Sequence, residues 1–201
     1  MILDCIFYYF EKGIGMWRKL AEWMAALVRS SGLRRNRVGI ESSEASVDRV
    51  LKAAHKRARG SYCTVVTSSA NGPRARVVWP FKPTNDRVIH FATSAGSSKL
   101  AEIEANHAVV LVYLSGVTAY CQADVLTDLA DRRRWWNPFF KAYWPQGPAS
   151  DDYVVVRCRP YAFEVFSPRD GVGPAPHGLT CARVDLVDGV WRLAPPHSAT
   201  A

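Results

Sequence analysis

The feature that most restricts this chain is a run of short, alternating apolar segments separated by close-set turns. Ser61–Ser68, Arg74–Phe81, Arg87–Ala92, Ala108–Leu114, Thr118–Thr127 and Asp152–Phe166 each place apolar side chains at every second position. That period is the one a half-buried strand requires. Turn residues fall between them: Ala70-Asn71-Gly72-Pro73, Asn85-Asp86 and Ser115-Gly116. Strands this short and this close together predict an antiparallel barrel. Pro160 within the last run marks a bulge or an edge, because it has no N–H to give a ladder. A further hairpin is predicted at Leu179–Leu186 and Val190–Leu193, where Asp188-Gly189 has the chemistry of a two-residue turn.

One stretch departs from this pattern. Phe91–Tyr113 runs from a strand through Thr93-Ser94-Ala95-Gly96-Ser97-Ser98 into a helix from Lys99, then into another strand. Small hydroxyl residues ahead of a helix are expected to cap its first N–H groups. Those N–H groups and the helix dipole attract an anion, and Lys99 adds a full charge. Leu100, Ala101 and Ile103 are predicted to face inward, Glu102 and Glu104 outward. Asn106 is predicted to end the helix in the left-handed conformation. Arg76 lies mid-strand among valines, and a buried guanidinium needs a partner. A phosphate between Arg76 and the Ser97-Ser98-Lys99 turn would satisfy both.

Several ordered motifs here resemble the pyridoxamine 5'-phosphate oxidase-like split barrels: Pro73-Arg74-Ala75-Arg76-Val77-Val78, Phe91-Ala92-Thr93 with Ser97-Ser98-Lys99, and Ala105-Asn106. Cys121-Gln122-Ala123-Asp124-Val125, Trp136-Asn137-Pro138, Trp144-Pro145-Gln146-Gly147 and Arg157-Cys158-Arg159-Pro160 with Glu164-Val165-Phe166 are similar to the general stress protein 26 branch. The resemblance implies a mainly β (α+β) fold: a six-stranded antiparallel split barrel flanked by short helices, holding FMN at a homodimer interface. It also implies a site. Arg76, Ser97, Ser98 and Lys99 would hold the phosphate, and Val77, Val78 and Thr93 would meet the ring and ribityl chain through their backbone. Trp144 would approach the flavin of the neighbouring subunit. Ser98 stands where the oxidases often keep a basic residue. True oxidases hold substrate phosphate with an Arg-x-His pair, whose positions here are Ala175 and His177, and they close a tryptophan over the flavin where Phe166 stands. Both departures argue against pyridoxal 5'-phosphate synthesis; His177 is kept as a candidate substrate residue.

Three regions are expected: an extension over residues 1–43, the FMN-binding barrel over 44–168, and a loop and hairpin over 169–201. In the extension, Trp17, Leu20, Met24, Leu27 and Val28 recur at helical spacing, and Ser30–Ser43 reads as a basic linker. Met1–Phe10 lacks the basic start of a signal peptide, and no run reaches the length of a membrane span. Ser46–Arg59, ended by Gly60, is an amphipathic helix with Val47, Val50, Leu51 and Ala54 inward.

The net charge of +8, from 26 basic and 18 acidic residues, favours an anionic ligand. Its clusters (Arg29, Arg34, Arg35 and Arg37; Lys52, Lys56, Arg57 and Arg59; Arg132, Arg133 and Arg134) accompany no nucleic-acid motif, so they are read as solvated faces. The dense aromatics from Trp135 to Trp144 are read as core packing, although basic-aromatic interleaving can also stack bases. The 5 cysteines show no metal spacing, which predicts no metal site and a reducing, cytoplasmic setting. The expectation is a flavin-dependent oxidoreductase acting on an unidentified small molecule, with no catalytic side chain assigned. A non-catalytic stress or sensor flavoprotein and a deazaflavin-dependent reductase are the alternatives.

Overall fold

The computed structural model describes residues 44–59, 62–172 and 181–194, with backbone alone for 44–46. The predicted N-terminal helix and linker, Gly60, and the loop carrying Ala175 and His177 lie outside the described residues. Helix α1 (Glu44–Ala58) is followed by strands β1 (Cys63–Ser69), β2 (Gly72–Val78) and β3 (Ile89–Ser94). Helix α2 (Ser98–Ala105) leads into β4 (Ala108–Tyr113) and β5 (Val117–Leu126). Helix α3 (Leu129–Arg134) and two short 3-10 turns come next, then β6 (Tyr153–Val165), β7 (Ala182–Val187) and β8 (Val190–Leu193).

All described strand pairs are antiparallel and run in the order β2-β1-β4-β5-β6-β7-β8, with β3 also on β6. The long strand β6 explains the split. One edge pairs with β5, while the other is shared by β3, over Tyr153–Cys158, and β7, over Ala162–Val165. Beyond β2, Pro80 bridges Phe91, and Phe81 N–H donates to His90 O at 2.8 Å. That junction returns the sheet to β3 and closes β1–β6 into the six-stranded barrel, leaving β7-β8 as an added hairpin. The β5–β6 register skips Tyr161, pairing Cys121 with Pro160 and Tyr120 with Ala162. Pro160 therefore sits at a bulge inside the sheet, where a missing N–H interrupts the ladder least.

Strand alternation then sorts side chains by face. Val65, Phe91, Leu111, Ala119, Cys121, Val156, Cys158 and Val165 fill the barrel with Ile103 of α2, each 0% exposed. Burying a residue such as Leu111 or Ile103 contributes roughly 1.5–3 kcal/mol, and this interior holds the sheet closed. Helix α1 packs Val50, Leu51 and Ala54 against the barrel as its periodicity predicts. The aromatic segment packs as a second core on the outside of β3, β5 and β6. There Leu126, Trp144, Tyr153 and Val155 are joined by Trp135, Trp136 and Phe140.

The helix α2 differs from its sequence reading in three ways. Glu102 is buried and Ala101 exposed, the reverse of the expectation. Asn106 is extended (φ −147°) rather than left-handed, and its Oδ1 accepts the Ala108 N–H at 3.0 Å. Ser97 makes no side-chain cap; its Oγ lies 3.2 Å from Thr93 Oγ1.

Candidate functional site

The site follows from the register of the first hairpin. Val65 pairs with Arg76 and Thr67 with Arg74, and directly opposed residues share a sheet face. Val65 and Thr67 are buried on the barrel side, so both arginines reach toward the barrel end that α2 covers. Two guanidiniums at the rim need an anion. The protein supplies one, the carboxylate of Glu102.

Arg76 Nη2 pairs with Glu102 Oε2 and Arg74 Nη1 with Glu102 Oε1 at 2.9 Å. Thr67 Oγ1 donates to Glu102 and accepts from Arg76 Nη1. The Thr67 hydroxyl and the Arg76 guanidinium hold the Glu102 carboxyl below the usual carboxylate range, with Arg74 adding to the effect. The expectation that a phosphate would be the partner of Arg76 is therefore corrected: its guanidinium is already paired within the chain, to Glu102. It keeps a second contact, however, with Nη2 3.4 Å from Ser98 Oγ at the start of α2.

A second group adjoins the first. Lys99 Nζ donates to Thr93 Oγ1 at 2.7 Å, and Thr93 in turn meets Ser97. Burial lowers the Lys99 pKa first, the neighbouring Arg76 lowers it further, and Glu102 partly offsets both. Because Ser97 leaves the first turn uncapped, the leading N–H groups of α2 keep the unpaired donors that any helix start carries. Arg74, Arg76 and Lys99 stand against Glu102 and against Asp152, whose Oδ1 accepts the Ala95 N–H behind the turn, so positive charge exceeds negative by one.

Thus Arg76 with Ser98, and Thr93 with Ser97 and Lys99, come together at one barrel end. Val77 and Val78 point to opposite faces, Val77 exposed and Val78 buried. Trp144 does not join this group; it lies behind the turn, 8% exposed and enclosed by Phe140, Tyr143 and Tyr153 of its own chain. Thr67, Arg74, Glu102 and Asp152, whose backbone oxygen accepts the Ala95 N–H of the turn at 2.9 Å, were missed as site residues. Glu102 had a readable signal: it stands four residues after Ser98 and three after Lys99, which puts all three on one helical flank. Arg74 had one too, standing two residues before Arg76 and so on the same strand face; Thr67 had none, since only hairpin register brings it in.

Among the described residues no cluster of His, Cys, Asp or Glu could hold a metal, and no helix is long and apolar enough to cross a membrane. Cys63, Cys121 and Cys158 are free and buried, and Cys181 is free and exposed.

The pyridoxamine 5'-phosphate oxidase family profile matches residues 51–165, more than half of the chain. The chain belongs to that family. No curated protein sequence matches it. Among solved structures, a protein related to general stress protein 26 from Clostridium acetobutylicum is similar over 72% of this chain and 96% of its own, with TM-score 0.56 and 14% identity. General stress protein 26 from Bacillus anthracis aligns over 58% of this chain and 90% of its own, at TM-score 0.46 and 20% identity. A pyridoxamine 5'-phosphate oxidase-related, FMN binding protein from Nostoc punctiforme covers 76% and 97% respectively, at TM-score 0.47 and 15% identity. The first of these shares the split-barrel fold.

Proposed function

We propose that this family member binds FMN and works as a flavin-dependent oxidoreductase on a small molecule. The observation that carries the reading is the meeting of Arg76 with Ser98, 3.4 Å apart at the uncapped start of α2. The residues present fit the cofactor's phosphate. Their net positive charge suits a phosphate monoester, which carries about −1.5 to −2 at neutral pH. The hydroxyls of Ser97 and Ser98, the Lys99 ammonium and the first-turn N–H groups add donors of the kind a phosphate accepts. The backbone at Val77, Val78 and Thr93 is proposed to meet the ring and ribityl chain. Bound flavin would supply hydride and electron chemistry; the protein binds, orients and excludes water. Hydride transfer needs no acid, base or nucleophile from the chain, and none is assigned.

A homodimer is part of the proposal. The outer face of β2-β1-β4-β5 carries Ala75, Val66, Val110 and Tyr120 in one cross-strand row and Val77, Thr64, Val112 and Thr118 in the next. Tyr62, Trp79 and Leu114 extend it, all exposed. An apolar patch of this kind normally meets a partner, and a second copy is the simplest one. The free, buried cysteines support a reducing, cytoplasmic setting.

The test is a fluorescence titration of cofactor-free protein with FMN, riboflavin and a deazaflavin. FMN should bind, and bind more tightly than riboflavin, which lacks the phosphate. Repeated reduction by NADH or NADPH with reoxidation by an acceptor would support the enzyme, and bound but inert flavin the sensor alternative. Failure of FMN to bind would sink the reading.

A further inference from the structure

We propose that Trp144 and Asp152 are positioning residues for the phosphate turn, acting from behind it; this rests on the FMN reading above. The Ser94–Ser97 turn joins β3 to α2 and decides where Ser97, Ser98 and Lys99 stand relative to Arg76. Asp152 grips that turn at the end of the β3–β6 ladder. Its backbone oxygen accepts the Ala95 N–H at 2.9 Å, and its Oδ1 accepts the same N–H at 3.0 Å. The neighbouring Ser94 side chain, then the Trp144 indole and the turn's backbone N–H groups, hold the Asp152 carboxyl below the usual range. Trp144 Nε1–H donates to Asp152 Oδ2 at 3.1 Å.

The geometry divides the donors. Asp152 takes the Ala95 N–H from behind the turn, so a ligand is left the donors that open α2. Trp144 fixes which carboxylate oxygen faces the turn. It does so from a rigid seat: its ring meets Tyr153 at 5.0 Å and Phe140 at 5.7 Å, both edge-on, and its backbone N–H donates to Phe140 O at 2.8 Å. A ring packed this way within its own chain has little face to offer a flavin. Its link to the site runs through its indole N–H, toward the phosphate end.

The test compares FMN with riboflavin, which shares the ring and ribityl chain but not the phosphate. Trp144→Phe keeps an aromatic ring in the cluster while removing the Nε1–H donor and part of the indole's bulk, and the loss of bulk should affect both ligands alike. It should weaken FMN binding about three- to tenfold relative to riboflavin, as loss of one positioning hydrogen bond does. Asp152→Ala should shift the same ratio further in the same direction, and stands in for Trp144→Phe should that variant not fold. Equal losses for both ligands would show that Trp144 serves the ring, and no change in either would show that it only packs; each result overturns the proposal. A wild-type protein that binds riboflavin as tightly as FMN would instead bring down the phosphate reading beneath it.

Discussion

Replacing Arg76 with alanine separates folding from binding. The guanidinium takes with it the pair to Glu102, the bond to Thr67 and the approach to Ser98. Glu102 is not orphaned, because Arg74 remains at 2.9 Å and the Thr67 hydroxyl still donates to it. The barrel interior is untouched, so the variant should stay folded with a modest fall in Tm. Binding should suffer far more. A charge-assisted hydrogen bond contributes about 1.5–3 kcal/mol, and about 1.4 kcal/mol is tenfold in affinity. FMN should therefore bind roughly 10- to 150-fold more weakly. Riboflavin has no phosphate and should be unaffected, while Arg76→Lys, which keeps the charge but loses the planar fork, should fall between. The assay is flavin fluorescence quenching with circular dichroism as the folding control. Wild-type FMN affinity in a folded Arg76→Ala protein, or equal losses for both ligands, would refute the placement of the phosphate site.

Other consequences can be measured directly. Gly116 has φ +87°, and a Cβ there would lie 2.2 Å from the Phe166 carbonyl oxygen. Gly116→Ala should cost about 2–4 kcal/mol in urea unfolding, combining the left-handed penalty with strain on the hydrogen bond that Phe166 N–H donates to Gly116 O at 2.8 Å; a loss under about 0.5 kcal/mol would contradict the contact. His90 has its pKa lowered from 6.5 to about 4, by burial first and then by Arg157 and Arg134. A depressed histidine contributes stability that is whole above pH 6.5 and is lost as pH falls toward about 4. His90→Gln should flatten the stability profile in that window, and an NMR titration showing an ordinary histidine pKa would exclude this origin. On the outer sheet face, Val112→Lys should shift the sedimenting species from dimer to monomer; a monomeric wild type, or a variant that still dimerises with wild-type affinity, would rule out this face.

Linear pattern was enough for most of the architecture. Period-two alternation marked all six barrel strands to within a few residues, since one buried face imposes that period directly. Asp188-Gly189 marked the last hairpin, because both residues must take positive φ there (51° and 77°). Val50, Leu51 and Ala54 declared the buried stripe of α1. Ser98, Lys99 and Arg76 were legible as a group through the family motif. Tertiary packing decided what those motifs touch. Glu102 looked solvated because a short helix with two apolar residues leaves its flanks ambiguous, and only the barrel end brings Arg74, Arg76 and Thr67 against one flank. Ser97 looked like a cap, yet Thr93 lies close enough to engage its hydroxyl. Trp144 and Asp152 are eight residues apart with nothing in their spacing to link them. Their bond exists because β6 pairs with β3 and carries Asp152 to the turn, while the aromatic segment folds back over the same strands. Strand periodicity is local and shows in the sequence, whereas the partner of a buried charge depends on register and closure, which distant residues set together.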